Sequence, residues 1–96
     1  MYARLTTGQI QPGKIDEAVG IYRDSVMPAA KQQRGFGGLQ YLVDRNVGKA
    51  VVIQFWETEA DIEAFVSGSY QAKVVPVLPL LTTPPVAEVY EVAFQA

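Results

Sequence analysis

The 96 residues include no cysteine and no histidine. Without cysteine there can be no disulfide, no thiolate nucleophile and no zinc–thiolate site. Without histidine the Ser/His and Cys/His triads, the usual haem ligand and the commonest metal ligand are also gone. No metal or haem site built on those residues is therefore expected. Charge is sparse too: charged residues make up 19% of the chain and the net charge is −2. Lys and Arg are spread out rather than clustered, so nucleic acid is not an expected partner. Long apolar runs are missing as well. The longest purely aliphatic one, Ala50-Val51-Val52-Ile53, falls far short of the roughly 20 residues of a membrane span, and no membrane partner is expected. The opening Met1-Tyr2-Ala3-Arg4 lacks the basic-then-apolar pattern of a signal peptide, so a cytoplasmic location is the default expectation. Apolar residues, at 49%, are plentiful enough to build the core of one small domain spanning residues 1–96.

Along the chain, Tyr2 to Gly8 alternate and read as a first strand, with Ala3, Leu5 and Thr7 on one face and Tyr2, Arg4 and Thr6 on the other. After a Gln11-Pro12-Gly13 turn, Ile15, Ala18, Val19, Tyr22, Val26, Ala29 and Ala30 trace one buried helical face. Pro28 interrupts that helix and predicts a kink or division near Val26-Met27. Phe36–Asp44 and Lys49–Glu57 read as strands, joined through Arg45-Asn46-Val47-Gly48, which has the Asn and Gly of a tight hairpin. Thr58 to Asp61 has the form of a capping box, and Ile62, Phe65 and Val66 line the short helix it opens, which Gly68 can end. A further helical turn can run from Ser69 to Val75. Pro76 to Pro85 is expected to be an ordered but irregular connection, and Val86–Phe94 a last strand. The order, strand-helix-strand-strand-helix-strand, predicts an α+β, ferredoxin-like βαββαβ fold: a four-stranded antiparallel sheet with its helices on one face.

That layout leaves the other sheet face bare. Val51, Ile53 and Phe55 alternate with Ala50, Val52, Gln54 and Trp56, so the third strand is largely apolar on both faces. Leu39, Tyr41, Val43, Leu42, Val89, Tyr90 and Val92 extend the same problem to its neighbours. Such a face is expected to be covered by a second copy, giving a homodimer packed sheet against sheet.

Several stretches resemble one family. Gln11-Pro12-Gly13-Lys14 precedes a helix, Pro28-Ala29-Ala30 leads to Gly35-Phe36-Gly37-Gly38, and Phe55-Trp56-Glu57-Thr58-Glu59-Ala60-Asp61 ends a strand. Together with Glu88-Val89-Tyr90-Glu91-Val92 they are similar to the antibiotic biosynthesis monooxygenase-type domain. The resemblance implies a dimeric α+β barrel and oxygenation of an aromatic, quinol- or anthrone-like substrate without metal or flavin. One branch of the family degrades haem. Oxygenase relatives carry an Asn four residues before the Trp, where this chain has Val52. The haem-degrading branch uses a first-strand Asn and a helical His, both missing here, which counts against haem degradation. Of those sets only Trp56 is present. A non-catalytic dimer that holds a hydrophobic metabolite is the alternative.

Trp56 is the first candidate site residue, as an aromatic wall with one N–H donor for a flat ligand, or else as a large core residue. Gln54 shares its face and could bond a quinol or ketone oxygen. Arg4 lies on a central strand; it either pairs with Glu88 or Glu91, across the sheet or the dimer interface, or stabilises a phenolate or enolate formed from substrate. Tyr22 and Tyr90 are candidate substrate-binding hydroxyls, Tyr22 from the helical stripe and Tyr90 from the sheet face away from the helices; Tyr41 and Tyr70 are further candidates. With no histidine, a base would have to be a carboxylate such as Glu88 or Glu57, or a tyrosinate. The acidic group Glu57, Glu59, Asp61 and Glu63 reads as a solvated helix start rather than a cation site.

Overall fold

A computed structural model describes residues 1–96. Strand β1 (Tyr2–Gln9) leads into helix α1 (Ile15–Ile21), a π-helical turn (Tyr22–Val26) and α2 (Met27–Lys31). Strands β2 (Phe36–Asp44) and β3 (Lys49–Trp56) follow, then α3 (Glu59–Ser67), α4 (Ser69–Val74), a 3₁₀ helix (Val75–Leu80) and β4 (Val86–Glu91). The sheet order is β2-β3-β1-β4, with every neighbouring pair antiparallel. This is the ferredoxin-like α+β arrangement expected from the order of elements.

Register settles which side chains meet. Across β1 and β3, Tyr2 faces Trp56, Arg4 faces Gln54, Thr6 faces Val52 and Gly8 faces Ala50. These residues turn toward the helices, where Ala50, Val52, Gln54 and Trp56 are buried. One apolar cluster surrounds Trp56, Phe65, Tyr22, Val26 and Tyr70; a second, at the far end, joins Ile10, Ile15, Ala18, Ala50 and Leu80. The opposite face carries Ala3, Leu5, Val51, Ile53 and Phe55, and no helix lies over it. β4 is exposed along all six of its residues.

The hairpin forms as its residues require. Asp44 accepts a bond from the Asn46 backbone N–H at 3.0 Å, and Gly48 takes φ +75°, a left-handed conformation that disfavours side chains. Thr58 caps α3 through Oγ1, which accepts from the Asp61 N–H at 3.1 Å, and Gly68 ends that helix.

Three details differ from the expectation. The break before Pro28 takes the form of a π turn in which the Met27 N–H reaches back five residues to the Tyr22 carbonyl. Proline lacks an N–H and its ring crowds the carbonyl one turn back, so widening the preceding turn lets the helix continue without a break. In the connection expected to be irregular, Leu81 to Pro85 is so, but the first half, up to Leu80, is a 3₁₀ helix. Pro76 lies in its first turn, where no N–H is needed, and the Leu81 N–H closes its end on the Leu78 carbonyl at 3.2 Å. Finally, β4 stops at Glu91 because its partner strand begins at Tyr2, opposite Glu91.

Candidate functional site

The 3₁₀ helix is held over the end of β1. The Gln11 N–H bonds the Leu80 carbonyl and the Thr82 N–H bonds the Gln9 carbonyl, both at 2.8 Å, while Ile10 and Leu81 form a β-bridge. Beneath this roof the sheet floor is low. Gly8 and Ala50 face each other, and a Cβ on Gly8 would come within 3.3 Å of the Leu81 side chain. The result is a cavity with Thr6, Gly8, Ala50 and Val52 as its floor and Tyr22, Tyr41 and Tyr70 as its walls. Val74, Val77, Leu78, Leu81 and Pro85 form its roof and mouth. It is small, with room for a few waters. A fused polycyclic ring would need the mouth to move.

The walls are ordered by aromatic contacts and one buried bond. The Tyr22 and Tyr70 hydroxyls lie 2.8 Å apart, and the Tyr41 ring meets Tyr22 edge-on at 5.1 Å. Burial pushes the Tyr22 phenol far above its ordinary pKa; Tyr70 and Tyr41 push the same way and the Arg4 cation opposes them. Burial, then Tyr70, raises Tyr41 as well. Both phenols stay protonated at neutral pH, so neither supplies the tyrosinate base considered from the sequence.

Arg4 stands beside this cavity rather than in its wall. Its guanidinium lies over the Tyr70 ring, 4.8 Å from the centroid, and its Nη1 donates to Thr6 Oγ1 at 3.0 Å. Tyr70 and Thr6 both line the cavity. Arg4 is buried, yet no carboxylate pairs with it: the ion pairs of the chain join Lys14 to Glu17, Arg23 to Asp24 and Arg45 to Asp16. Within the chain, the pairing with Glu88 or Glu91 anticipated from the sequence does not form. Glu88 stands opposite Leu5, on the other face of the sheet, where it accepts a 2.8 Å bond from the Tyr90 hydroxyl; Glu91 is exposed at the strand end.

The six candidate residues therefore divide. Arg4, Gln54, Trp56 and Tyr22 share the helix side of the sheet, whereas Glu88 and Tyr90 occupy the opposite face and cannot join them at one site within a single chain. Trp56 is fully buried between Phe36 and Phe65, with ring centroids at 5.4 and 5.1 Å, and its indole N–H donates to Gln54 Oε1 at 3.2 Å. It is not part of the cavity lining. Gln54 is completely buried, and its Nε2 has no acceptor. Glu57, the other candidate base, is exposed at the end of β3, and nowhere do three or more carboxylates converge to hold a metal ion. Sequence reasoning missed Gly8, Thr6 and Leu81 as cavity residues. The small–small pair Gly8 and Ala50 is the available signal, but it becomes one only when the strand register is known.

A family model described as antibiotic biosynthesis monooxygenase matches residues 1–76. Among curated proteins, the uncharacterized protein Rv2557 of Mycobacterium tuberculosis (strain ATCC 25618 / H37Rv) is 41% identical over 64 residues, covering 67% of this chain and 29% of its own. The uncharacterized protein Rv2558 of the same strain is 41% identical over 58 residues, covering 60% of this chain and 25% of its own. The match thus spans between a quarter and a third of each relative. Solved structures share the fold. SnoaB, a cofactor-independent oxygenase from Streptomyces nogalater, superposes with a TM-score of 0.83 at 11% identity, over 98% of this chain and 94% of that one. Rv0793 from Mycobacterium tuberculosis does so at 0.81 and 14%, over 99% and 97%. A MhuD variant with two manganese protoporphyrin IX molecules per active site does so at 0.82 and 18%, over 100% and 98%.

Proposed function

The chain belongs to the antibiotic biosynthesis monooxygenase family, and on that premise we propose that it is a cofactor-independent monooxygenase acting on a small aromatic substrate. The observation that carries this reading is the cavity between sheet and helices, apolar over most of its lining and walled by Tyr22, Tyr41 and Tyr70. Its volume favours a single-ring quinol over an anthrone. For such a substrate the balance is quinol plus O₂ giving hydroxyquinone plus water: one oxygen atom enters the ring and the other leaves as water, carrying the hydrogens the ring gives up. An electron-rich phenolate passes electrons to O₂ by itself. The protein has only to hold the ring, favour its anion and keep water away. Arg4 is the cation for that anion. Trp56 acts as a positioning residue, fixing the Gln54 amide next to Arg4.

A homodimer built through the uncovered sheet face belongs to the same reading, as does a cytoplasmic location; no helix is long and apolar enough to cross a membrane. Ile53→Lys, in the middle of that face, should convert the species sedimenting at dimer mass to monomer. The second reading is a hydrophobic-ligand carrier without turnover, favoured by one specific observation: no carboxylate lines the cavity, and burial raises the pKa of its Tyr22 and Tyr41 phenols.

The test is oxygen uptake by purified protein over a panel of hydroquinones and naphthols, with no added metal or flavin. Saturable uptake that Gly8→Val abolishes is expected. Uptake no greater than that of heat-killed protein, for every compound that binds, would leave the carrier reading in its place.

A further inference from the structure

A buried guanidinium without a counter-charge is costly, because burial removes its water and leaves only weaker partners. Arg4 has Thr6 Oγ1 and the face of Tyr70, and nothing negative. The residue directly across the strand pair, Gln54, adds to the deficit. Its Oε1 is taken by Trp56, so the group left over is Nε2, a buried donor with no acceptor. An unpaired buried donor directly opposite a cation without a counter-charge, both on the helix face, indicates a missing acceptor.

The cavity next to them is donor-rich in the same sense. Thr6 Oγ1 already accepts from Arg4, so its own hydrogen is left to donate, and the cation polarises it. In the Tyr22–Tyr70 pair one hydroxyl donates to the other, so one O–H remains free. No carboxylate and no side-chain amide is among the lining residues. A neutral phenol would thus meet hydroxyls, with the Arg4 cation behind Thr6 and Tyr70, but no group able to take its proton. An oxyanion there would accept from the lining hydroxyls and supply, across Thr6 and Tyr70, the counter-charge that Arg4 lacks.

We propose that this cavity selects its ligand as a preformed aromatic oxyanion, a single ring bearing a carboxylate or an already ionised phenol, held by Thr6 and the tyrosine pair and neutralised by Arg4. The proposal rests on the cavity being the ligand site, as in the preceding reading, but not on any turnover there.

The experiment is a binding titration at neutral pH by calorimetry or chemical-shift perturbation, using benzoate against its neutral isostere benzamide. Benzoate should bind at least tenfold more tightly to the unaltered protein. Arg4→Gln should erase that preference, and Thr6→Val, which keeps shape and removes the hydroxyl, should reduce it several-fold in a protein that still unfolds cooperatively on heating. Equal binding of the two ligands, binding of neither at millimolar concentration, or a preference that survives in a folded Thr6→Val protein would overturn the proposal. Oxygen uptake separates the two readings: benzoate preference without uptake of any quinol removes oxygenation and leaves the anion site standing. Uptake of quinols with no anion preference does the reverse.

Discussion

The Tyr22–Tyr70 hydroxyl pair offers a quantitative test of how the cavity wall is held. The two oxygens are 2.8 Å apart, and the residues are only 4% and 6% exposed. A hydrogen bond between neutral groups contributes about 1 kcal/mol net, but stranding one buried partner costs about 1–3 kcal/mol. Both hydroxyls border a cavity with room for water, which can replace the lost partner in part and places each single change toward the lower end. Tyr22→Phe and Tyr70→Phe should therefore each destabilise the protein by about 1–2 kcal/mol. In the double variant no hydroxyl is stranded and the aromatic contacts remain, so its cost should be no larger than that of either single change. The coupling energy from the double-mutant cycle should then be about 1–2 kcal/mol, the double change costing less than the sum of the singles. Urea unfolding at fixed protein concentration measures this, provided the slopes of the four proteins agree. Additivity within about 0.5 kcal/mol would refute the argument, since it would mean the two hydroxyls do not depend on each other.

Tyr22 and Tyr41 set the alkaline limit of stability. Because folding raises the Tyr22 and Tyr41 pKa values, above pH about 10 the unfolded chain releases phenol protons that the folded chain retains. Stability is complete below that pH and falls as pH rises, by up to about 1.4 kcal/mol per pH unit for Tyr22; Tyr22→Phe should flatten the decline in unfolding midpoints measured from pH 9 to 11. Trp56→Ala removes the largest fully buried side chain and strands the Gln54 carbonyl, so it should destabilise by about 3–5 kcal/mol, read as a lower urea midpoint. Thr58→Ala deletes the bond to the Asp61 N–H and should cost about 1 kcal/mol, with no change in ligand affinity by titration. Gly8→Val should fill the cavity floor against Leu81 and weaken benzoate binding at least tenfold while the protein still folds cooperatively on heating.

Much of the fold was legible in the sequence because it rests on local signals. Alternation over Tyr2–Gly8 and Lys49–Trp56 specifies strands, the stripe from Ile15 to Ala30 specifies a helix, and Thr58, Gly48 and Gly68 mark caps and turns whose chemistry depends on a few neighbouring residues. The apolar alternation of β3 also announced that both sheet faces need cover. The candidate site was legible only in part. Arg4, Gln54, Trp56 and Tyr22 fall on one face by period-two and helical reasoning, and they do share it. The arrangement of these residues was not legible, because it depends on register between strands far apart in the chain. Register put Gln54 opposite Arg4, moved Glu88 to the other face and set Gly8 against Ala50.

Composition and periodicity by themselves thus determined a chain without cysteine or histidine chemistry, its element order and its two-faced sheet. Only the tertiary structure decided that Trp56 belongs to the packed core, that Arg4 has no counter-charge, and that a cavity opens where two small residues meet under the 3₁₀ helix. The physical reason is the range of the interactions: caps, turns and amphipathic faces are set by residues a few positions apart, whereas an unpaired charge or a cavity exists only in relation to everything folded around it.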